Sequence, residues 1–218
     1  MIGLKRPSRL FLGSATKISR NYKQLSFPRS MAHTSFPADL PKPEDDGAAN
    51  HLTNMSIPSF SLPATNGKSV DLSALSDLSV VFCYPRTGAP GETITDDWNA
   101  IPGARGCTPQ ACSFRDAAAE LRGLGVTHIY GASTQDTPYQ QEAKERNHLP
   151  FELLSDESLR MVKALRLPTF EWKEVTLIKR MSMVIKDGKI VKVFYPVFPP
   201  DQSANEVKKW LQTAKESA

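Results

Sequence analysis

The chain has 218 residues, 40% of them hydrophobic and 23% charged, with a formal net charge of +4. That length suits one sizeable domain with an appendage, and the composition is that of an ordinary soluble protein. No apolar run approaches the roughly 18 residues needed to cross a bilayer, which excludes a transmembrane helix and leaves no argument for membrane insertion.

The charge is unevenly placed. Before Asp39 stand seven basic residues (Lys5, Arg6, Arg9, Lys17, Arg20, Lys23, Arg29), no acidic one, and a scatter of serines. This is the composition of a mitochondrial transit peptide, and no uninterrupted apolar stretch follows the first charges as a secretory signal would require. Without those seven, 20 basic residues face 23 acidic ones, so the body of the chain gives no reason to expect nucleic-acid binding. Met31 offers a second start that would omit the leader and yield a cytosolic form. Residues 1–55 lack periodicity and are rich in Ser, Pro and charge, so they read as a leader plus flexible linker, with the folded domain over 56–218.

From residue 56 onward short strands alternate with helices. The pattern predicts strands near 59–63, 68–71, 78–84, 126–132, 180–186 and 189–195, and helices near 108–123, 138–147, 156–165 and 202–216. Asn66-Gly67 and Asp187-Gly188 are hairpin turn signals. Cys83 falls inside the apolar run Val80 to Tyr84 and reads as buried and inert. The Cys107 and Cys112 thiols lie five positions apart where a loop becomes a helix. Thr108 suits the N-cap, Pro109 the first helical position, and Ala111 to Leu121 supplies helix formers with apolar spacing. Unpaired N–H groups and the helix dipole favour a thiolate at Cys107, with Arg105 and Arg115 adding positive charge nearby.

Gly106-Cys107-Thr108-Pro109-Gln110-Ala111-Cys112-Ser113-Phe114-Arg115-Asp116, placed after a strand ending in Tyr84-Pro85, resembles the active-site segment of the peroxiredoxins, in particular their bacterioferritin-comigratory, or Q-type, branch. Other stretches match in order: Phe60-Ser61-Leu62-Pro63, Gly131-Ala132-Ser133-Thr134, Leu153-Leu154-Ser155-Asp156, and Lys179-Arg180-Met181-Ser182 with Asp187-Gly188. The resemblance implies an α/β thioredoxin-like fold, a central mixed sheet flanked by helices. It implies a thiol-dependent peroxidase that reduces hydrogen peroxide or organic hydroperoxides and is recycled by a thioredoxin-like reductant. No metal or organic cofactor is then needed, and the protein would be a monomer or weak homodimer. By the same resemblance Cys107 is the peroxidatic thiol, Cys112 the resolving thiol and Arg180 the guanidinium that holds the thiolate, while Pro85 and Thr108 belong to the substrate pocket. Pro102 is the alternative to Pro85.

Two departures stand out. Twenty-one residues separate Pro85 from Cys107, where the family has a much shorter connection, and so long a loop beginning and ending at the site suggests a lid or contact segment anchored by Trp98. The family's Thr or Ser three residues before the reactive cysteine is Ala104 here, leaving Thr87, Thr93, Thr95 or Thr108 as possible sources of a hydroxyl. The rival readings are a disulfide oxidoreductase on the same fold, which lacks its C-x-x-C, and a non-catalytic redox-sensing module. The four histidines show no metal-ligand spacing.

Overall fold

A computed structural model describes residues 40–216. Its centre is a five-stranded mixed sheet built from β3 (Ser79–Cys83), β4 (His128–Ser133), β5 (Glu152–Ser155), β8 (Met181–Lys186) and β9 (Lys189–Phe194), in the order β5-β4-β3-β8-β9. β3, β4 and β5 run parallel, and β8 and β9 add antiparallel on the other side. Two small hairpins, β1 (Ser61–Pro63) with β2 (Ser69–Asp71) and β6 (Thr169–Trp172) with β7 (Val175–Ile178), complete the strands. The helices are α1 (Asp96–Asn99), α2 (Cys107–Gly123), α3 (Thr137–Arg146), α4 (Arg160–Leu165) and α5 (Ser203–Glu216). The expected mixed sheet flanked by helices is therefore present.

β3 is an unbroken apolar run because both its faces are covered; all five of its residues are buried. Val81 and Cys83 face a core shared with Leu52, Leu62, Leu72, Met161 and Leu165. Val80, Phe82 and Tyr84 face the opposite core, with Ala111, Phe114 and Leu121 of α2 and Val207 and Leu211 of α5. Phe82 and Phe114 stack with ring centroids 4.4 Å apart, which fixes α2 against the middle of the sheet. Gly131 permits this closeness, since a Cβ there would lie 2.7 Å from Phe82 Cζ and 2.6 Å from Leu153 Cδ2.

The buried positions of α2 are 107, 110, 111, 114, 117, 118 and 121, one stripe at helical period. Its end is a Schellman closure: Val126 N–H donates to Leu121 O at 3.1 Å and Gly125 N–H to Arg122 O at 3.0 Å, with Gly125 at φ +99°. Its start differs from the sequence reading. Gly106, at φ +107°, is the N-cap in place of Thr108, and Gln110 N–H already donates to Gly106 O at 3.0 Å. A glycine reaches this left-handed conformation without the Cβ penalty, so the cap falls two residues earlier and Cys107 is taken into the first turn.

The folded body also begins earlier than residue 56. Leu52 is fully buried and Ala49 nearly so. Asn54 N–H donates to Ile190 O at 2.7 Å, and Asp46 pairs with Lys179 at 2.7 Å. The partners that order this segment lie more than 100 residues away, out of reach of a local reading. The strand β5 and the β6–β7 hairpin were likewise not expected. The hairpin turns on Lys173 and Glu174, both at positive φ, without the Asn or Gly that usually announces such a turn. The basic leader and the second start at Met31 fall within residues 1–39, outside the described residues.

Candidate active site

Cys107 is brought to the end of β3 by the first turn of α2, and it is 4% exposed. Arg180, immediately before β8, is equally buried at 3% and reaches across so that its Nη2 lies 3.3 Å from Cys107 Sγ. The antiparallel pairing of β8 with β3 places them together: Met181 is opposite Cys83, so Arg180 sits level with the strand end from which the chain leaves toward Cys107. The same Nη2 donates to the carbonyls of Gly103, Ala104 and Arg105 at 3.2, 3.1 and 3.1 Å. The Cys107 thiol is 3.6 Å from Ala104 O, which accepts from it. Arg180 Nε is buried and has no hydrogen-bond partner among the described residues.

Behind Arg180 runs a polar chain that the sequence did not disclose. Arg180 Nη1 donates to Gln110 Oε1 at 2.5 Å, Gln110 Nε2 to Ser203 Oγ at 3.3 Å, and Ser203 Oγ lies 2.9 Å from Ser182 Oγ. Gln110, Ser182 and Ser203 are fully buried. Burying a guanidinium is costly unless its donors are satisfied, and this chain together with the three carbonyls fixes where the charge sits. One signal did exist in the sequence: a glutamine at an apolar position of the helical stripe, three residues after Cys107.

The other expected residues fall out differently. Cys112 is half-buried on α2, and its thiol, like those of the buried Cys107 and Cys83, is in no disulfide. Partial burial pushes its thiol up, with Arg115 opposing and Asp116 reinforcing. Burial, aided by the Asp156 carboxylate, pushes the fully enclosed Cys83 thiol up to about 12, in keeping with an inert core residue. Pro85 is buried directly after Tyr84, which shares a core with Cys107, whereas Pro102 is exposed. Thr108 is half-buried at the second position of α2. Thr87 is bonded to Gln135 through its N–H at 2.9 Å and its hydroxyl at 3.2 Å. Arg105 and Arg115 are engaged by other partners: Arg105 donates to Asn99 Oδ1 and Arg115 pairs with Asp116. Among the described residues, Arg180 is the cation that contacts the Cys107 sulfur. A groove of about 490 Å³ lined by Arg86, Gln135, Asp136, Tyr139 and Glu174, among others, does not include Cys107 in its wall.

A thiol at a helix N-terminus under a buried guanidinium is an arrangement for nucleophilic sulfur chemistry, and the sequence agrees with it, matching the Redoxin family over residues 52–211. The chain belongs to that family. Within it the similarity is to peroxiredoxins: 32% identity over 160 residues with peroxiredoxin Bcp of Escherichia coli strain K12, covering 71% of this chain and 92% of that one. Peroxiredoxin Q, chloroplastic, of Oryza sativa subsp. japonica is 31% identical over 72% of this chain, which spans only 64% of the rice protein's length. Among solved structures, peroxidoxin BcpB of Mycobacterium tuberculosis superposes with a TM-score of 0.60 at 27% identity, covering 74% of this chain and 97% of that one. A Xylella fastidiosa PrxQ structure, at 19% identity and a TM-score of 0.59, shares the fold. In this Redoxin domain the matched span takes in Cys107, Cys112 and Arg180, and also the long segment between Pro85 and Cys107.

Proposed function

We propose that the chain is a thiol peroxidase acting on hydrogen peroxide or organic hydroperoxides, with Cys107 as nucleophile. The observation that carries this reading is the buried Arg180 guanidinium 3.3 Å from the Cys107 sulfur. The thiolate attacks the terminal peroxide oxygen, the O–O bond breaks, and the departing alkoxide or hydroxide takes a proton, leaving a cysteine sulfenic acid. Arg180 holds the thiolate, and its unpartnered Nε is a donor available to the charge that develops on the departing oxygen. Cys112 then attacks the sulfenic sulfur, water leaves, and an intramolecular disulfide forms. A thioredoxin-like dithiol reduces it by exchange. The test is thioredoxin-coupled consumption of hydroperoxide by the wild type and by Cys107→Ser. Turnover by the wild type alone is expected, and turnover by both would remove Cys107 from the chemistry.

The leader supports a second proposal, delivery to mitochondria, because basic, serine-containing and acid-free composition before Asp39 is what import machinery reads. A fluorescent protein fused behind residues 1–35 should enter mitochondria, and one fused behind a chain started at Met31 should stay in the cytosol. Uniform cytosolic fluorescence of both would overturn it.

A further inference from the structure

The segment 86–106 is fastened at three places. At its start, Arg86 pairs with Glu92 at 2.8 Å, and its guanidinium lies over the Trp172 and Trp98 rings at 5.2 and 5.9 Å. At its middle, Trp98 of α1 is buried against the β6–β7 hairpin, with ring centroids 4.9 Å from Trp172 and 6.2 Å from Phe170, and Trp172 Nε1 donates to the adjacent Asp97 at 2.8 Å. At its end, Arg180 binds the carbonyls of residues 103, 104 and 105. Ala104 joins the last two: its side chain is buried in the cluster of Trp98 and Leu177, and its carbonyl receives the Cys107 thiol.

We propose that this segment is an access strap latched by Trp98 in the Phe170–Trp172 slot, and that the latch sets the size of hydroperoxide that reaches Cys107. The covering of the thiol is the far end of the strap. Ala104 cannot move off the sulfur without disturbing the packing that Trp98 provides. A compact hydroperoxide needs only a slight displacement of the residues around Ala104. A bulky one needs the strap to lift, and therefore needs Trp98 to leave its slot. The cation over the two indoles and the Asp97 bond oppose that departure. Trp98 touches no reacting atom and is a positioning residue.

The proposal rests on the peroxidase reading, so its test has an arm that does not. Rate constants for Cys107 oxidation by hydrogen peroxide and by cumene hydroperoxide are compared in wild type and Trp98→Ala. In parallel, Cys107 alkylation by iodoacetamide and by fluorescein maleimide is followed by peptide mass spectrometry. The bulky-to-compact ratio should rise at least ten-fold in both arms for Trp98→Ala. Trp172→Phe, which keeps a ring but loses the donor to Asp97, should give a smaller rise and serves if Trp98→Ala does not fold. Shifted alkylation ratios in proteins that consume no hydroperoxide would sink the peroxidase reading and leave the strap standing. Unchanged alkylation ratios would overturn the strap whatever the peroxidase result.

Discussion

Arg180 Nη2 serves two tasks, touching the Cys107 sulfur and gathering the three carbonyls before Gly106, while Nη1 donates to Gln110. Its first task predicts the outcome of Arg180→Met. Losing one well-placed donor to a developing oxyanion costs about 2–4 kcal/mol, so the rate constant for Cys107 oxidation should fall roughly 30- to 1,000-fold. Stopped-flow oxidation by hydrogen peroxide, with circular dichroism as the folding control, measures it; an unchanged rate constant would remove Arg180 from the chemistry. The cysteines themselves sort by environment. A thiol pushed up to about 12 stays protonated, and so unreactive, throughout the range below about pH 10, and its thiolate appears only as pH rises toward that value. Cys83 should therefore be the last of the three to alkylate at any pH below about 10. Mass-spectrometric labelling in which Cys83 outruns Cys107 would reverse the assignment of nucleophile. Cys107, Cys112 and Arg180 were readable from short motifs because each falls in a distinctive local string. Gln110, Ser182 and Ser203 were not, since the chain they form exists only after α2, β8 and α5 converge.

At the scale of the element, α2 sets the problem of joining Cys107 to Cys112. Both lie in one continuous helix, where residues five apart are about 7.5 Å apart along the axis and roughly 140° around it, giving Cα atoms about 8.6 Å apart. A disulfide does not span that distance, so resolution requires the first turns to unwind. Amide exchange of residues 108–114 should accordingly lose protection when the protein is oxidised, and Cys112→Ser should abolish the effect. A Cys107–Cys112 disulfide formed with protection intact would exclude unwinding. The helix was expected from its apolar stripe, and its early start at Gly106 was not, because the left-handed cap is a backbone property that the string Gly-Cys-Thr-Pro only permits. The β6–β7 hairpin escaped for a related reason: Lys173 and Glu174 turn at positive φ in a hairpin that then receives Trp98 against Phe170 and Trp172.

For the molecule as a whole, the question is where the folded body begins. Leu52 is fully buried in the core that includes Met161, Leu165 and Ile190, and His51 Nε2 lies 2.9 Å from Leu165 O. Removing residues 1–30 should leave the melting temperature and peroxidase rate almost unchanged, since the 1–30 sequence lacks the apolar periodicity needed to join a core. Removing residues 1–55 takes away Leu52 and should lower the melting temperature by roughly 5–15 °C, on the scale of one buried leucine truncated to alanine in a domain of this size. Calorimetry on the two truncations decides it. Equal melting temperatures would show that the residues before 56 do not contribute to the fold.

The sequence by itself determined the alternation of strands and helices, the buried strand around Cys83, the helix that carries Cys107 and Cys112, and the three residues on which the chemistry is proposed. These are written in neighbours a few positions apart, through side-chain period and turn chemistry. The tertiary structure decided that Arg180 rather than Arg105 or Arg115 meets the sulfur, that Gln110 and two serines hold it there, that residues 40–55 are part of the body, and that the long segment before Cys107 is fastened at Trp98. Each of those outcomes depends on groups drawn from distant parts of the chain, and a buried charge or an aromatic slot has no meaning until the sheet has brought its partners together.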